Sequence, residues 1–351
     1  MDRTVLSIQV ILAAFGLVGV AAAPEGSVLE HGTRALLAIL LTVVVARFSP
    51  RAVVKLSPYL FVTVLLMLFA ALFVGISPEG SDSKRWLSIL GFTLQPSEFM
   101  KIAVIAYLTA FFHNHLGDWH IWRPMFVIGL AVAAIIAQPN LSTGLFIFVL
   151  AFGLMVIAGI SLGRLASISV AAALIGLLLG GSYISQFGYM KDRLVGFADL
   201  WGAQSLTDEN FQSNRAREAM AIGGLTGIGT GRPVRVPEVH TDFIAVAIAQ
   251  ATGLLGVAAL VALYLLLALR AVAVAKVVVG PAALLAGGAA AYICGQAAIN
   301  LLVASGMVPV TGIPLPGVSF GFNSQLSVAI AFGFIHIAFR QARLEGAAVA
   351  A

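Results

Sequence analysis

The residues able to do chemistry are those whose charge sits where charge is costly. Glu98 and Lys101 lie in Gln95-Pro96-Ser97-Glu98-Phe99-Met100-Lys101, at the head of an apolar run. Pro96 suits the first turn of a helix, where its missing N–H costs nothing. Glu98 and Lys101, three residues apart, then share one helix face. Charges embedded at membrane depth are functional candidates by default, against the plainer reading of an ion pair that seats the helix. Asp242 is the second case, in Val236-Pro237-Glu238-Val239-His240-Thr241-Asp242-Phe243-Ile244, with no cation in its own turn. Either the dipole of the following helix holds this acid, or it is a partly desolvated carboxylate suited to act as a general base.

Other polar groups carry weaker signals. Gly223, Gly224, Gly227, Gly229 and Gly231 resemble a phosphate cradle only in composition, with no preceding strand and no Walker Lys-Ser/Thr; a re-entrant turn uses such glycines equally well. Arg232 and Arg235 follow and could meet an anionic head group or be solvated. His113, His115 and His120 with Asp118 fit no zinc spacing, and Trp119 and Trp122 mark that stretch as an interfacial loop. Gly312-Ile313-Pro314-Leu315-Pro316-Gly317 breaks the chain ahead of the last apolar run. Irregular backbone at membrane depth must be buried in protein or line a cavity. A cavity is therefore expected there, with Ser319, Asn323, Ser324 and Gln325 as polar lining.

Long apolar helices must position these groups. The chain is 60% hydrophobic and 10% charged over 351 residues, where a soluble domain carries about 25% charged residues. Its mean hydropathy is +1.02. The apolar runs are continuous and do not alternate, which excludes a β-barrel and predicts an all-α integral membrane protein. About ten spans are expected, near 4–23, 34–48, 59–76, 96–113, 124–138, 142–160, 163–185, 242–270, 280–305 and 323–340. The first is read as a retained span and not a signal peptide. The single cysteine, Cys294, excludes an intramolecular disulfide framework. The whole of 1–351 reads as one polytopic membrane domain.

Basic residues predict the orientation. With the N-terminus inside, the cytoplasmic set is Arg3, Arg47, Arg51, Lys55, Arg123, Arg164, Arg270, Lys276, Arg340 and Arg343, against the acids Asp2, Asp118 and Glu345. That bias places both termini in the cytoplasm. The loop 186–241, between spans seven and eight, is then extracytoplasmic and carries 12 charged residues, six of each sign. Within it 210–222 is expected to be helical, with Phe211, Ala219 and Ile222 on one side and Arg215 and Glu218 as i,i+3 neighbours. The loops 77–95 and 306–323 lie on the same side.

In this order the motifs resemble the SEDS family (the RodA, FtsW and SpoVE group). The resemblance rests on Arg85-Trp86-Leu87 and Gln95-Pro96-Ser97-Glu98 with Lys101. Pro237-Glu238 with His240-Thr241-Asp242-Phe243-Ile244 adds to it, as does Pro309 with Thr311-Gly312-Ile313-Pro314-Leu315-Pro316. It implies a peptidoglycan glycosyltransferase that polymerises lipid II, a disaccharide-pentapeptide on undecaprenyl pyrophosphate, at the outer face of the bacterial cytoplasmic membrane. By motif, Asp242 matches the family's essential aspartate and Glu98 and Lys101 its paired charges. Arg85, Trp86 and Arg193 match positions in its external loops, while His240 and Ser319 fall inside its motifs. The resemblance also implies an inverting transfer and a class B penicillin-binding protein as partner, in elongation or division. A divalent cation could share the charge on the pyrophosphate, although no ligand cluster demands one. This chain departs from the family pattern at Asn140, at Gln250 and at Phe322-Asn323. The rival readings are a flippase for lipid-linked precursors and a non-catalytic scaffold of the cell-wall complex.

Overall fold

A computed structural model describes residues 1–77, 84–89, 91–115, 121–179 and 208–346. Among these residues the regular structure is helical apart from one small hairpin. The helices are α1 (Arg3–Ala21), α2 (Val28–Val45), α3 (Pro50–Val74), α4 (Pro96–Asn114), α5 (Trp122–Ile136), α6 (Leu141–Ile157), α7 (Leu162–Leu179), α8 (Asp208–Gly223), α9 (Ile244–Val277), α10 (Pro281–Ala304) and α11 (Phe322–Leu344). Between α3 and α4, β1 (Leu87–Ile89) and β2 (Phe92–Leu94) pair antiparallel, with Leu87 opposite Leu94. Six of the helices, α1, α2, α3, α9, α10 and α11, are long and apolar enough to cross a membrane, and α5 and α6 are shorter apolar helices.

Local chemistry sets several helix starts. Asp2, Ser27 and Ser49 each accept a hydrogen bond from the backbone N–H three residues on, at the heads of α1, α2 and α3. Capping explains why α2 begins at Val28, earlier than the expected 34. Glu30 and Arg34 look like loop residues in sequence, but they pair with each other at i,i+4 on the helix and His31 is buried. The helix therefore runs through polar positions that hydropathy alone assigns to a loop.

α4 is the central helix. Fourteen of its nineteen residues are buried, on every face, and it packs against α3, α6, α10 and α11. A helix that is buried all round has no lipid-facing side, so Glu98 and Lys101 meet protein and not acyl chains. α2 and α3 instead present bare apolar faces, with Leu37, Leu40, Val62, Leu66 and Phe73 exposed.

α9 differs from the single span expected at 242–270. Gly253 has φ +69 and ψ −167 and breaks it into two helical pieces. The first piece, 244–252, is almost wholly buried; the second carries the exposed apolar residues Leu254, Leu255, Leu265 and Leu269. The glycine run supplies the hydrogen bonds that the break removes. Ile228 and Gly229 donate to Gln250 O and Ala251 O, both at 3.0 Å, while Leu254 and Leu255 donate to Gly224 O at 2.9 Å and Leu225 O at 3.1 Å. A Cβ at Gly227, whose φ is +80, would collide with the carbonyl of Ala251. These glycines are used for close backbone packing.

α8 is the helix expected within the long loop. Its buried stripe is Ser213, Ala216 and Ala219, whereas Ile222 is exposed. The apolar side chain of Ile222 sits one position off the face that meets α9, so the expected grouping of Ala219 with Ile222 does not hold; the side chain of Phe211 is outside the described residues. Arg215 and Glu218 do pair across i,i+3, at 3.0 Å.

Candidate active site

A cavity of about 470 Å³ opens where the N-terminal ends of α4, α6, α9 and α11 converge beneath the hairpin. Arg85 and Trp86 line it from the segment leading into β1, Glu98 from α4, Asn140 to Thr143 from the head of α6, and Phe322 to Ser324 from the head of α11. The turn before α9 contributes Glu238, Thr241 and Asp242, and the broken segment before α11 contributes Thr311, Gly312 and Pro314. None of the four helix starts is closed by a side-chain cap. The positive ends of their dipoles, with Arg85, work against the negative charge of the wall carboxylates. The walls carry three carboxylates and one guanidinium.

Glu98 and Lys101 form a buried pair, with Lys101 Nζ 2.6 Å from Glu98 Oε1. Glu98 reaches the cavity wall and Lys101 lies behind it. The ammonium also donates to Gln296 Oε1 at 2.8 Å and sits over the rings of Tyr292 and Phe146, 5.4 and 5.7 Å from their centroids. Two acceptors and two aromatic faces replace the water that a buried cation loses. The second carboxylate oxygen of Glu98 is buried and has no hydrogen-bond partner among the described residues.

Asp242 is half-buried in a turn that starts at Glu238, whose φ of +54 reverses the chain, and Asp242 N donates to Glu238 O at 3.1 Å. Phe243, and not Asp242, takes the N-cap position of α9. Gly312 faces the carboxylate: a Cβ there would lie 3.3 Å from Asp242 Oδ2, and its φ of +68 also suits glycine.

Arg85 is anchored, with Nε donating to Gln138 O at 2.9 Å and Nη2 to Pro139 O. It ties the hairpin to the turn before α6, and Asn323 Nδ2 ties it to the head of α11 through Thr93 O at 3.1 Å. Trp86 pairs with Ile76 across an antiparallel bridge. Two of the departures from the family pattern, Asn140 and Phe322-Asn323, therefore line this cavity, whereas Gln250 is used elsewhere, donating to Arg232 O at 2.9 Å.

Ser319 and His240 stand apart from the cavity lining. Ser319 is buried; its Oγ donates to Thr241 O at 2.6 Å and accepts from Leu315 N at 2.8 Å, so it joins the turn before α9 to the broken segment. His240 lies on the far side of that turn, edge-on to Phe320 and 3.9 Å from Glu25. Arg193, His120 and Asp118 lie outside the described residues. Among the described residues no group of three His, Cys, Asp or Glu side chains is placed to hold a metal ion.

Three polar residues of α10 escaped the sequence reading. Tyr292, Gln296 and Asn300 recur every four residues inside an apolar run, which is the spacing of one helix face. All three are buried, and they face α4, the broken segment and α11.

The chain matches the FtsW/RodA/SpoVE family of cell cycle proteins over residues 6–344. It belongs to that family. A relative from Dichelobacter nodosus, described as a probable peptidoglycan glycosyltransferase FtsW, is 33% identical over 288 residues, covering 77% of this chain and 69% of its own. One of the same description from Halomonas elongata is 32% identical over 334 residues, 90% of this chain and 82% of its own. The fold is that of a chain from a peptidoglycan synthase complex, with a TM-score of 0.81, 24% identity and 97% of both chains covered. It is also that of Thermus thermophilus rod shape determining protein RodA, with a TM-score of 0.71, 22% identity and coverage of 97% of this chain and 96% of that one.

Proposed function

We propose that this protein is a peptidoglycan glycosyltransferase that polymerises lipid II at the outer face of the bacterial cytoplasmic membrane. The observation that carries the reading is one cavity walled by both Asp242 and Glu98, with Lys101 directly behind. Family membership and the description of the relatives as probable peptidoglycan glycosyltransferases support the same reaction here. Four uncapped helix starts and Arg85 offset the wall carboxylates, as a pyrophosphate-bearing donor requires.

In the proposed reaction the acceptor hydroxyl attacks the anomeric carbon of the donor sugar. Its proton passes to the Asp242 carboxylate, and the bond to the undecaprenyl pyrophosphate oxygen breaks with the electron pair leaving on the pyrophosphate. A single displacement inverts the anomeric centre. Lys101 and Arg85 offset charge on the leaving group, Glu98 orients Lys101, and Trp86 forms part of the wall beside Arg85. Ten membrane crossings with both termini cytoplasmic put the cavity and the loop 186–241, with Arg193, on the outer side; the distribution of Lys and Arg supports that orientation. A class B penicillin-binding protein is the proposed partner, a reading favoured by the fold shared with a chain of a peptidoglycan synthase complex.

Purified protein given labelled lipid II, alone and with a transpeptidase, is expected to make glycan polymer resolved by length on a gel. Movement of lipid II between vesicle leaflets without polymer would replace the enzyme with a flippase. Neither polymer nor movement, with the transpeptidase still stimulated, would leave a scaffold.

A further inference from the structure

Two amides on α10 lie behind the cavity and touch the groups on both of its charged walls. Gln296 accepts from Lys101 Nζ at 2.8 Å and donates to Pro314 O at 2.8 Å. Asn300 Nδ2 donates to Asp242 O at 2.7 Å and to Ile313 O at 2.8 Å. They are one helix turn apart and 0% and 1% exposed. Neither lines the cavity. Two consecutive carbonyls of the broken segment are thus held from one helix face. The remaining hydrogen bond of each amide goes to Lys101 in one case and to the backbone of Asp242 in the other. Gly312, the residue before Ile313, faces the Asp242 carboxylate, where an added Cβ would lie 3.3 Å from Oδ2.

The side-chain types fit this task. Gln296 must accept from an ammonium and donate to a carbonyl, which a carboxamide does and an ionised carboxylate does not. Asn300 must donate twice through one nitrogen. An aspartate there would oppose two carbonyl oxygens, and a leucine would strip two buried carbonyls of a donor.

We propose that Gln296 and Asn300 are positioning residues that hold Asp242 and Lys101 in register across the cavity. Asn300 fixes the backbone of the base, Gln296 fixes the cation, and the segment from Ile313 to Pro314 is clamped between them. The proposal rests on the reading of Asp242 as the base. Displacing a reacting group by about 1 Å costs on the order of 10²-fold in rate. Loss of the clamp therefore lowers kcat and leaves lipid II binding unchanged, because neither amide reaches the cavity.

The test is steady-state polymerisation of lipid II by purified Asn300→Leu, Asn300→Ser, Gln296→Leu and Gln296→Glu, with kcat and KM resolved and rates taken per folded molecule. Asn300→Leu is expected to lose about 10- to 100-fold in kcat with KM within about twofold of wild type. Asn300→Ser keeps one donor and falls between. Gln296→Glu keeps the acceptor for Lys101 and loses less than Gln296→Leu. Because the leucine variants risk misfolding, the serine and glutamate variants decide the matter. Wild-type kcat in those two, or a rise in KM alone, overturns the proposal. Asp242→Ala is assayed alongside. If it is inactive while the α10 variants work normally, only the positioning proposal fails. If it polymerises at the wild-type rate, the reading of Asp242 as base fails and the positioning proposal fails with it.

Discussion

Two ion pairs in this protein have the same spacing and opposite surroundings. Glu98 and Lys101 on α4 are three residues apart and 2.6 Å from contact atom to contact atom, with side chains 5% and 1% exposed. Arg215 and Glu218 on α8 are also three apart, at 3.0 Å, but 47% and 58% exposed. An exposed pair gains little, since water screens it and two long side chains lose freedom. The buried pair has been taken out of water at a cost of several kcal/mol per ion and is held by further contacts to Gln296, Tyr292 and Phe146. Hydrophobic residues of similar size would pack there at less cost. A buried pair at the edge of a cavity is therefore hard to explain by stability, and easy to explain if the cavity uses its charge.

The largest expected effect comes from breaking the buried pair on one side only. Lys101→Met leaves the Glu98 carboxylate without its cation and should cost about 3–5 kcal/mol of stability, together with polymerase activity. Thermal unfolding in detergent checks the first and lipid II polymerisation the second. The double change Glu98→Gln with Lys101→Met should recover much of the stability and none of the activity. Recovery of both would make the pair a structural device like any other.

Gly227→Ala comes next. Its positive φ and the carbonyl of Ala251 leave no room for a methyl group, so the packing at the α9 break must open, at about 1–3 kcal/mol. The same unfolding assay checks it. Gly312→Ala should cost about 1–2 kcal/mol for a left-handed backbone and press on Asp242, seen as a fall in kcat at unchanged KM. Arg215→Ala should change stability by no more than about 0.5 kcal/mol. A larger loss there would show that the exposed pair does more than its surroundings suggest.

The contrast also marks where sequence stops being informative. Glu98, Lys101 and Asp242 were legible because a charge beside an apolar run stands out along the chain. The environment that separates Glu98–Lys101 from Arg215–Glu218 was half legible, since α4 is mostly apolar beyond Lys101 and α8 is not. The hydrogen bonds that hold the site were not legible. Lys101 meets Gln296 across 195 residues, and Ser319 meets Thr241 across 78. No local pattern encodes either contact. The four-residue spacing of Tyr292, Gln296 and Asn300 was available in the sequence, but neutral side chains in an apolar run attract less notice than charged ones. The break at Gly253 was hidden for another reason: Gln250 and Thr252 are too few to interrupt the apolar run, and only the packing of Gly223–Gly229 backbone against it reveals the kink. Ser319 follows the broken segment and so looks like cavity lining in the sequence, whereas its hydroxyl joins two stretches of backbone.

The most direct measurement is the initial rate of polymerisation at saturating lipid II for wild type and Asp242→Asn, each verified as folded. The substitution keeps the size of the side chain and removes its ability to take a proton. With Asp242 as the base, the rate falls by about 10²–10⁴ while lipid II binding persists. A variant that polymerises within threefold of wild type would contradict the assignment of Asp242 and return the search for the base to Glu98 and Glu238 on the same cavity wall.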